Sequence, residues 1–266
     1  MNRLKNYLSL IVFLTPLLFA ACSKGEGSAA PAPTEPRVIV VGVNPDYPPM
    51  ASTDEKTGEI KGFEVDLMNA IAEKGGFKIK WKSIPWKGIF GALDSHDIDA
   101  IMSSASITEE RQKTYDFSDP YYTISQKLVV NKADAGKVKE LKDMDDRDVG
   151  VQLNTTGEHM VATQFPTWRR HSYDNAPLGF ADLKAGSIFG FMVDEPVADS
   201  FALADPKSAD LFTSLPFQFS KENYGIVVRK GDAELLTKIN AGLKAAKEAS
   251  VDRDLKKTWI DVAPAK

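Results

Sequence analysis

The chain alternates two hydrophobic periods, and that alternation constrains its fold more than any other feature. Val38–Val43 is a continuous β-branched run, the pattern of a strand covered on both faces. Phe63–Glu73 then places Phe63, Leu67, Ala70 and Ile71 on one helical face. Phe77–Trp81 alternates as a strand, Trp86–Leu93 reads as a helix, and Ile98–Met102 is a short buried strand. The order recurs with Val149–Gln152 as a strand, Gly157–Phe165 as a helix, Ala181–Ala185 as a helix end stopped by Gly186, and Phe189–Val193 as a strand. Strands alternating with helices predict an α/β fold with largely parallel sheets.

Two strand-like segments break the rhythm, Gln126–Asn131 and Tyr224–Arg229, each after a turn-rich stretch. If they carry the chain from one sheet to another and back, residues 37–122 and 224–266 form lobe 1 and 126–222 form lobe 2, with a cleft between them. Ala233–Ala249 sets Leu235, Leu236, Ile239 and Leu243 on one face and would close lobe 1 as an amphipathic helix. A length of 266 residues has room for two modest domains, and 43% hydrophobic with 26% charged residues is an ordinary globular balance.

Ahead of the alternating region, Arg3 and Lys5 precede an apolar run from Leu8 to Leu18, followed by Ala20, Ala21 and Cys22. This is the pattern of a secretory signal, here residues 1–21. The apolar run falls well short of the roughly 20 residues of a membrane-spanning helix. Phe19-Ala20-Ala21-Cys22 resembles a bacterial lipoprotein box, which implies that Cys22 becomes the new N-terminus and carries the lipid. Residues 22–36, rich in Gly, Ser, Ala and Pro, would then be a flexible tether to the membrane. A single cysteine excludes an internal disulfide, and three dispersed histidines make a poor zinc site. Removing a segment with two basic residues takes the net charge from −4 to −6, so no nucleic-acid partner is expected.

No GxGxxG, GxxxxGK[ST], HExxH or GxSxG occurs, and neither a catalytic residue nor a cofactor or metal is expected. Polar groups gather instead at strand-to-helix junctions, where helix N-termini expose free N–H donors. The first junction holds Ser103, Ser104, Ser106 and Arg111, with Ser106 and Glu109 spaced as a capping box. The second holds Gln152, Asn154, Thr155, Thr156 and Gly157, with Thr155 and Glu158 spaced the same way and Gly157 allowing close backbone approach. At the third, Asp194 ends a buried strand before Glu195-Pro196, placed either to cap a helix or to face the cleft as a carboxylate.

Taken together, DYPPM at 46–50, GFEVDLMNAIA at 62–72, DIDAIMSSASITEERQKTYDFSDPYY at 97–122, VGVQLNTTGE at 149–158, VDEPVA at 193–198 and YGIVVRKGDAELLTKIN at 224–240 resemble the extracellular solute-binding proteins of the polar amino-acid uptake family. That family serves ATP-binding cassette (ABC) transporters. The resemblance implies the type II periplasmic-binding-protein fold: two lobes, each a mixed, mainly parallel sheet flanked by helices, joined by two hinge strands. It also implies a monomer that takes a polar amino acid into the interlobe cleft, closes, and delivers it to a membrane permease outside the cytoplasm.

By the same resemblance, Arg111 would pair with the ligand carboxylate, helped by Thr156 and the N–H groups opening the helix after Thr155. Asp194 and the Ser104 carbonyl would hold the ammonium, Ser106 would touch the ligand backbone, and Ser103 would lie nearer its side chain. Tyr47 and Trp86 would form aromatic walls, although a tryptophan at such a helix position is more often core. Asn44 stands where binders of basic amino acids carry aspartate. Arginine, lysine, histidine and glutamine all remain open as ligands, with a lean toward the basic group. Two rivals remain: an enzyme resembling periplasmic cyclohexadienyl dehydratases, and a ligand-sensing module for a membrane receptor.

Overall fold

β1 (Val38–Val43) is apolar throughout because it is packed from both sides. Ile39 and Val41 join one hydrophobic cluster, while Val40 faces another. The computed structural model describes residues 37–204 and 210–261. The expected signal segment, Cys22 and the tether at 22–36 lie outside the described residues.

After β1 a small antiparallel sheet forms from β2 (Asp46–Tyr47), β3 (Ala51–Thr53) and β4 (Ile60–Lys61). It leads into α1 (Phe63–Gly75), which stops at Gly76 in the left-handed conformation, φ 69°, where glycine carries no Cβ penalty. Next come β5 (Lys78–Ser83), α2 (Trp86–Asp94), β6 (Ala100–Ile101), α3 (Glu109–Thr114) and β7 (Tyr115–Phe117). The ten-residue β8 (Tyr122–Asn131) then leaves this layer.

The second layer holds β9 (Asp148–Gln152), α4 (Thr156–Gln164), β10 (Arg169–Tyr173), α5 (Ala176–Ala185), β11 (Gly190–Asp194), α6 (Glu195–Asp199) and β12 (Phe212–Ser214). The chain returns through β13 (Lys221–Tyr224) to β14 (Val227–Arg229), and ends its described part with α7 (Ala233–Glu248) and α8 (Val251–Trp259).

The first large sheet has the order β5-β1-β6-β14-β7 and the second β10-β9-β11-β8-β12. Each is mixed. Strands β5, β1 and β6 are parallel, as are β10, β9 and β11, while β14 runs antiparallel to its neighbours β6 and β7, and β8 antiparallel to its neighbours β11 and β12. β8 serves both lobes: its first residues, Tyr122–Ser125, pair with β13, and its continuation from Gln126 pairs with β11. The chain therefore crosses between the sheets twice, on two hydrogen-bonded strands.

Several elements differ from the sequence expectation. The returning segment Tyr224–Arg229 is two strands, interrupted at Gly225 and Ile226 where the chain turns from β13 into β14. β10, with the sequence RRHSY, is an exposed edge strand and so carries no apolar alternation to read. α8 has no fully buried residue and gives an equally weak signal. α5 begins at Ala176, capped by Asn175, five residues before the stretch read as its end.

Candidate functional site

Parallel strands of α/β sheets end in loops that face a common crevice, and here both sheets direct these ends at each other. Asn44 follows β1, Ser103, Ser104 and Ser106 follow β6, Gln152 ends β9, Thr155 and Thr156 open α4, and Asp194 ends β11. Together with Tyr47 on β2, Trp86 at the start of α2 and Arg111 on α3, they line one small cavity. All eleven residues singled out for ligand contact are thus brought to a single place.

The turn after β6 is held from behind. Ser103 Oγ accepts the Asn44 N–H at 3.0 Å. Ser104 adopts φ 52°, a left-handed conformation rarely taken by a residue with a Cβ. Its N–H and hydroxyl both donate to Glu64 Oε1, at 2.7 and 3.0 Å. The expected capping box between Ser106 and Glu109 does not form. α3 starts at Glu109 with Thr108 as its cap, accepting the Arg111 N–H at 3.2 Å. Ser106 instead bridges to Tyr224, and its carbonyl accepts from Arg111 Nη1 at 2.9 Å.

At the second junction Thr155 does cap α4, accepting the Glu158 N–H at 3.1 Å. The reciprocal bond of the box lands one residue early: Glu158 accepts from the Asn154 N–H at 2.7 Å, because Asn154 is left-handed at φ 61°. Gly157 packs closely, and what lies against it is the carboxamide of Gln126. A Cβ at 157 would stand 3.0 Å from Gln126 Oε1.

Asp194 occupies the N-cap position of α6 but makes no capping bond, so the capping alternative is overturned. Its Oδ1 accepts from Gln126 Nε2 at 2.5 Å and its Oδ2 from the Tyr224 hydroxyl. Burial pushes the carboxyl up to about 6, and the charge of Glu222 adds to the rise, while bonds from Tyr224, Tyr47 and Gln126 oppose it. Burial likewise pushes the Arg111 guanidinium down, countered by Glu222 and Asp194.

Trp86 is 7% exposed and packs edge-on against Phe90 while also lining the cavity, so it is both core and wall. Its ring and that of Phe90 lie 5.4 and 5.3 Å from the Arg111 guanidinium carbon. The protein's own cation thus takes one aromatic face. The two lobes also touch directly. The Asn154 carbonyl accepts from Trp86 Nε1 at 3.3 Å and Arg111 Nη2 at 3.2 Å, and Lys87 pairs with Asp174 at 2.8 Å.

Five residues around the cavity were not anticipated from sequence: Glu64, Tyr121, Gln126, Glu222 and Tyr224. Glu64 reads as an acidic first-turn residue favoured by the helix dipole, and the tyrosines and Gln126 read as strand residues. Only their convergence behind Ser104 and Asp194 marks them. Asn44 Oδ1, Gln126 Oε1 and Glu222 Oε2 are buried acceptors with no partner among the described residues. No group of three or more His, Cys, Asp or Glu side chains is placed to hold a metal ion among those residues.

Two α/β lobes, two crossing strands and a polar cavity at the strand ends define a two-lobed binding protein of the periplasmic type. The model of the bacterial extracellular solute-binding proteins, family 3, matches residues 39–262, and the chain belongs to that family. Family membership places it on the extracytoplasmic side. A probable histidine-binding protein of Neisseria gonorrhoeae is 35% identical over 253 residues, covering 93% of this chain and 92% of the relative. A solved structure of an ancestral arginine-binding protein bound to arginine superposes with a TM-score of 0.77 at 36% identity, over 84% of this chain and 97% of that one. An ancestral amino acid-binding protein described as a precursor of cyclohexadienyl dehydratase gives a TM-score of 0.77 at 35% identity, over 84% of this chain and 95% of that one.

Proposed function

We propose that the cavity binds a polar L-amino acid and that the protein, closing about its two crossing strands, presents it to the permease of an ABC transporter. One observation carries the reading: Arg111 from lobe 1 and Asp194 from lobe 2 bring opposite charges to one small cavity, as the carboxylate and ammonium of a zwitterion require. The lobes are taken as 37–122 with 224–266, and 126–222. Since the full set of contacts exists only when they meet, ligand binding favours closure.

The partnerless acceptor Asn44 Oδ1 favours a ligand side chain that carries an N–H donor. Guanidinium, ammonium, imidazole and carboxamide groups all satisfy it. The relatives described as binding histidine and arginine point the same way. Asp194 is the only carboxylate among the cavity-lining residues, and it serves as a hydrogen-bonded anchor. This favours binding over the eliminative chemistry of a dehydratase, which needs a free general acid. We also read the protein as a monomer, held to the membrane by a lipid on Cys22.

A thermal-shift screen of the twenty amino acids on the protein beginning after Cys22, followed by calorimetry, tests the reading. The expected result is micromolar or tighter binding of a basic or amide amino acid. A flat screen would sink the reading, and product formation from prephenate would replace it with the enzymatic one.

A further inference from the structure

Glu64 sits in the first turn of α1, only 1% exposed, and lines no part of the cavity. Its Oε1 accepts three bonds: from the Ser104 N–H at 2.7 Å, the Ser104 hydroxyl at 3.0 Å, and the Tyr121 hydroxyl. Its Oε2 is buried with no partner among the described residues. Burying a carboxylate is expensive unless it is well bonded, and here two of its three bonds go to one residue. That residue, Ser104, lies in the cavity wall in the left-handed conformation, which a serine does not keep unaided. The third donor links the same carboxylate to the crossing strands. Tyr121 N–H bonds the Tyr224 carbonyl at 3.0 Å, and the Tyr224 hydroxyl ends on Asp194.

We propose that Glu64 is a positioning residue: its carboxylate fixes the left-handed turn at Ser104 and thereby sets the Ser103–Ser106 wall of the cavity, without touching the ligand. This rests on the amino-acid-binding reading. Every bond at Oε1 is one the oxygen accepts, so the anion holds the turn most firmly. Burial pushes this carboxyl up to about 7, opposed by the bonds from Tyr121 and Ser104 and reinforced by the charge of Asp194. A proton gained on the partnerless Oε2 weakens Oε1 as an acceptor. Tyr121, pushed well above the ordinary tyrosine range chiefly by burial, stays a donor throughout, and Asp194 titrates lower, at about 6.

The test is calorimetry on the wild type, Glu64→Gln and Tyr121→Phe with L-arginine, L-lysine, L-histidine and L-glutamine in turn, from about pH 5.5 to 8.5, with melting curves in parallel. Ratios of variant to wild-type affinity cancel the titration of the ligand itself. Wild-type affinity should fall as the pH drops through about 7. Glu64→Gln should melt near the wild type, bind roughly tenfold more weakly at high pH, as expected for losing one charged hydrogen bond, and lose the step near pH 7 while keeping that of Asp194. Tyr121→Phe removes one donor that holds the anion, so its step should move to higher pH. If Glu64→Gln fails to fold, this displacement decides. Wild-type affinity and pH profile in the folded variants would overturn the inference alone. A wild type that binds none of the four would overturn the functional reading, and this inference with it.

Discussion

Asp194 shows how one side chain's role is settled by what surrounds it. Sequence leaves it between helix cap and cleft carboxylate. The structure gives it Gln126 and Tyr224 as donors and no capping bond. Asp194→Asn should preserve this cradle, with the amide oxygen facing Gln126 and its nitrogen donating to the Tyr224 oxygen. The charge that answers an ammonium is lost, and charged hydrogen bonds contribute roughly 1.5–3 kcal/mol each. Affinity should therefore fall at least tenfold, and an unchanged calorimetric constant would return Asp194 to a structural role. The sign for stability is opposite. A carboxyl raised from 3.8 to about 6 contributes stability that is present below about pH 4 and lost as pH rises through 6, a loss on the order of 2–3 kcal/mol. The asparagine variant escapes that loss, so its melting temperature near pH 8 should equal or exceed that of the wild type.

At the scale of elements, hydrophobic periodicity located β1, α1, α2, β9, β11 and α7 because each buries an apolar face. It overlooked β10 and α8, whose exposed residues need no such face, and it misjudged the cap of α3. Thr108 and Ser106 are both competent caps, and the choice between them was made by Tyr224, which engages Ser106 in a bridge from the returning strand. Helix packing leaves its own mark in Gly242 on α7. A Cβ there would stand 2.2 Å from the Ile71 carbonyl oxygen of α1, a backbone atom that cannot yield alone. Overpacking costs about 1–3 kcal/mol or more, against roughly 1 kcal/mol gained in helix propensity. Because the atom met is backbone, the cost lies in the upper part of that range, and Gly242→Ala should lower stability by a net ~1–2 kcal/mol, seen as a lower denaturation midpoint. A midpoint at or above that of the wild type would show that α7 moves aside freely.

For the whole molecule, the deciding feature is that β8 pairs with β13 over its first residues and with β11 thereafter. A pair of strands, rather than a loose linker, joins the lobes, so their relative motion is confined to a hinge that keeps the two halves of the site in register. Asn154 and the Lys87–Asp174 pair then meet across the cleft. The exposed ion pair contributes at most about 1 kcal/mol, which leaves closure responsive to ligand. The proposed lipid attachment at Cys22 belongs to this scale as well. Cys22→Ser should move the protein from the membrane to the soluble fraction on high-speed centrifugation, and continued pelleting would contradict lipid anchoring.

The amino-acid order alone determined the alternation of strand and helix, the two interruptions that split the chain into lobes, and eight of the eleven residues that line the cavity, with Asn44, Tyr47 and Trp86 added by the family resemblance. These were legible because burial imposes local periods, and because polar residues at strand ends stand out against them. Tertiary structure alone decided which of several competent groups does what. Glu64, Gln126 and Tyr224 look unremarkable in sequence, yet they hold Ser104 and Asp194 in place. Ser106 and Asp194 lost their local capping partners to contacts dozens of residues away. The physical reason is that a buried hydrogen bond is satisfied by whichever partner the fold brings near, and nearness in space is not written in any local pattern.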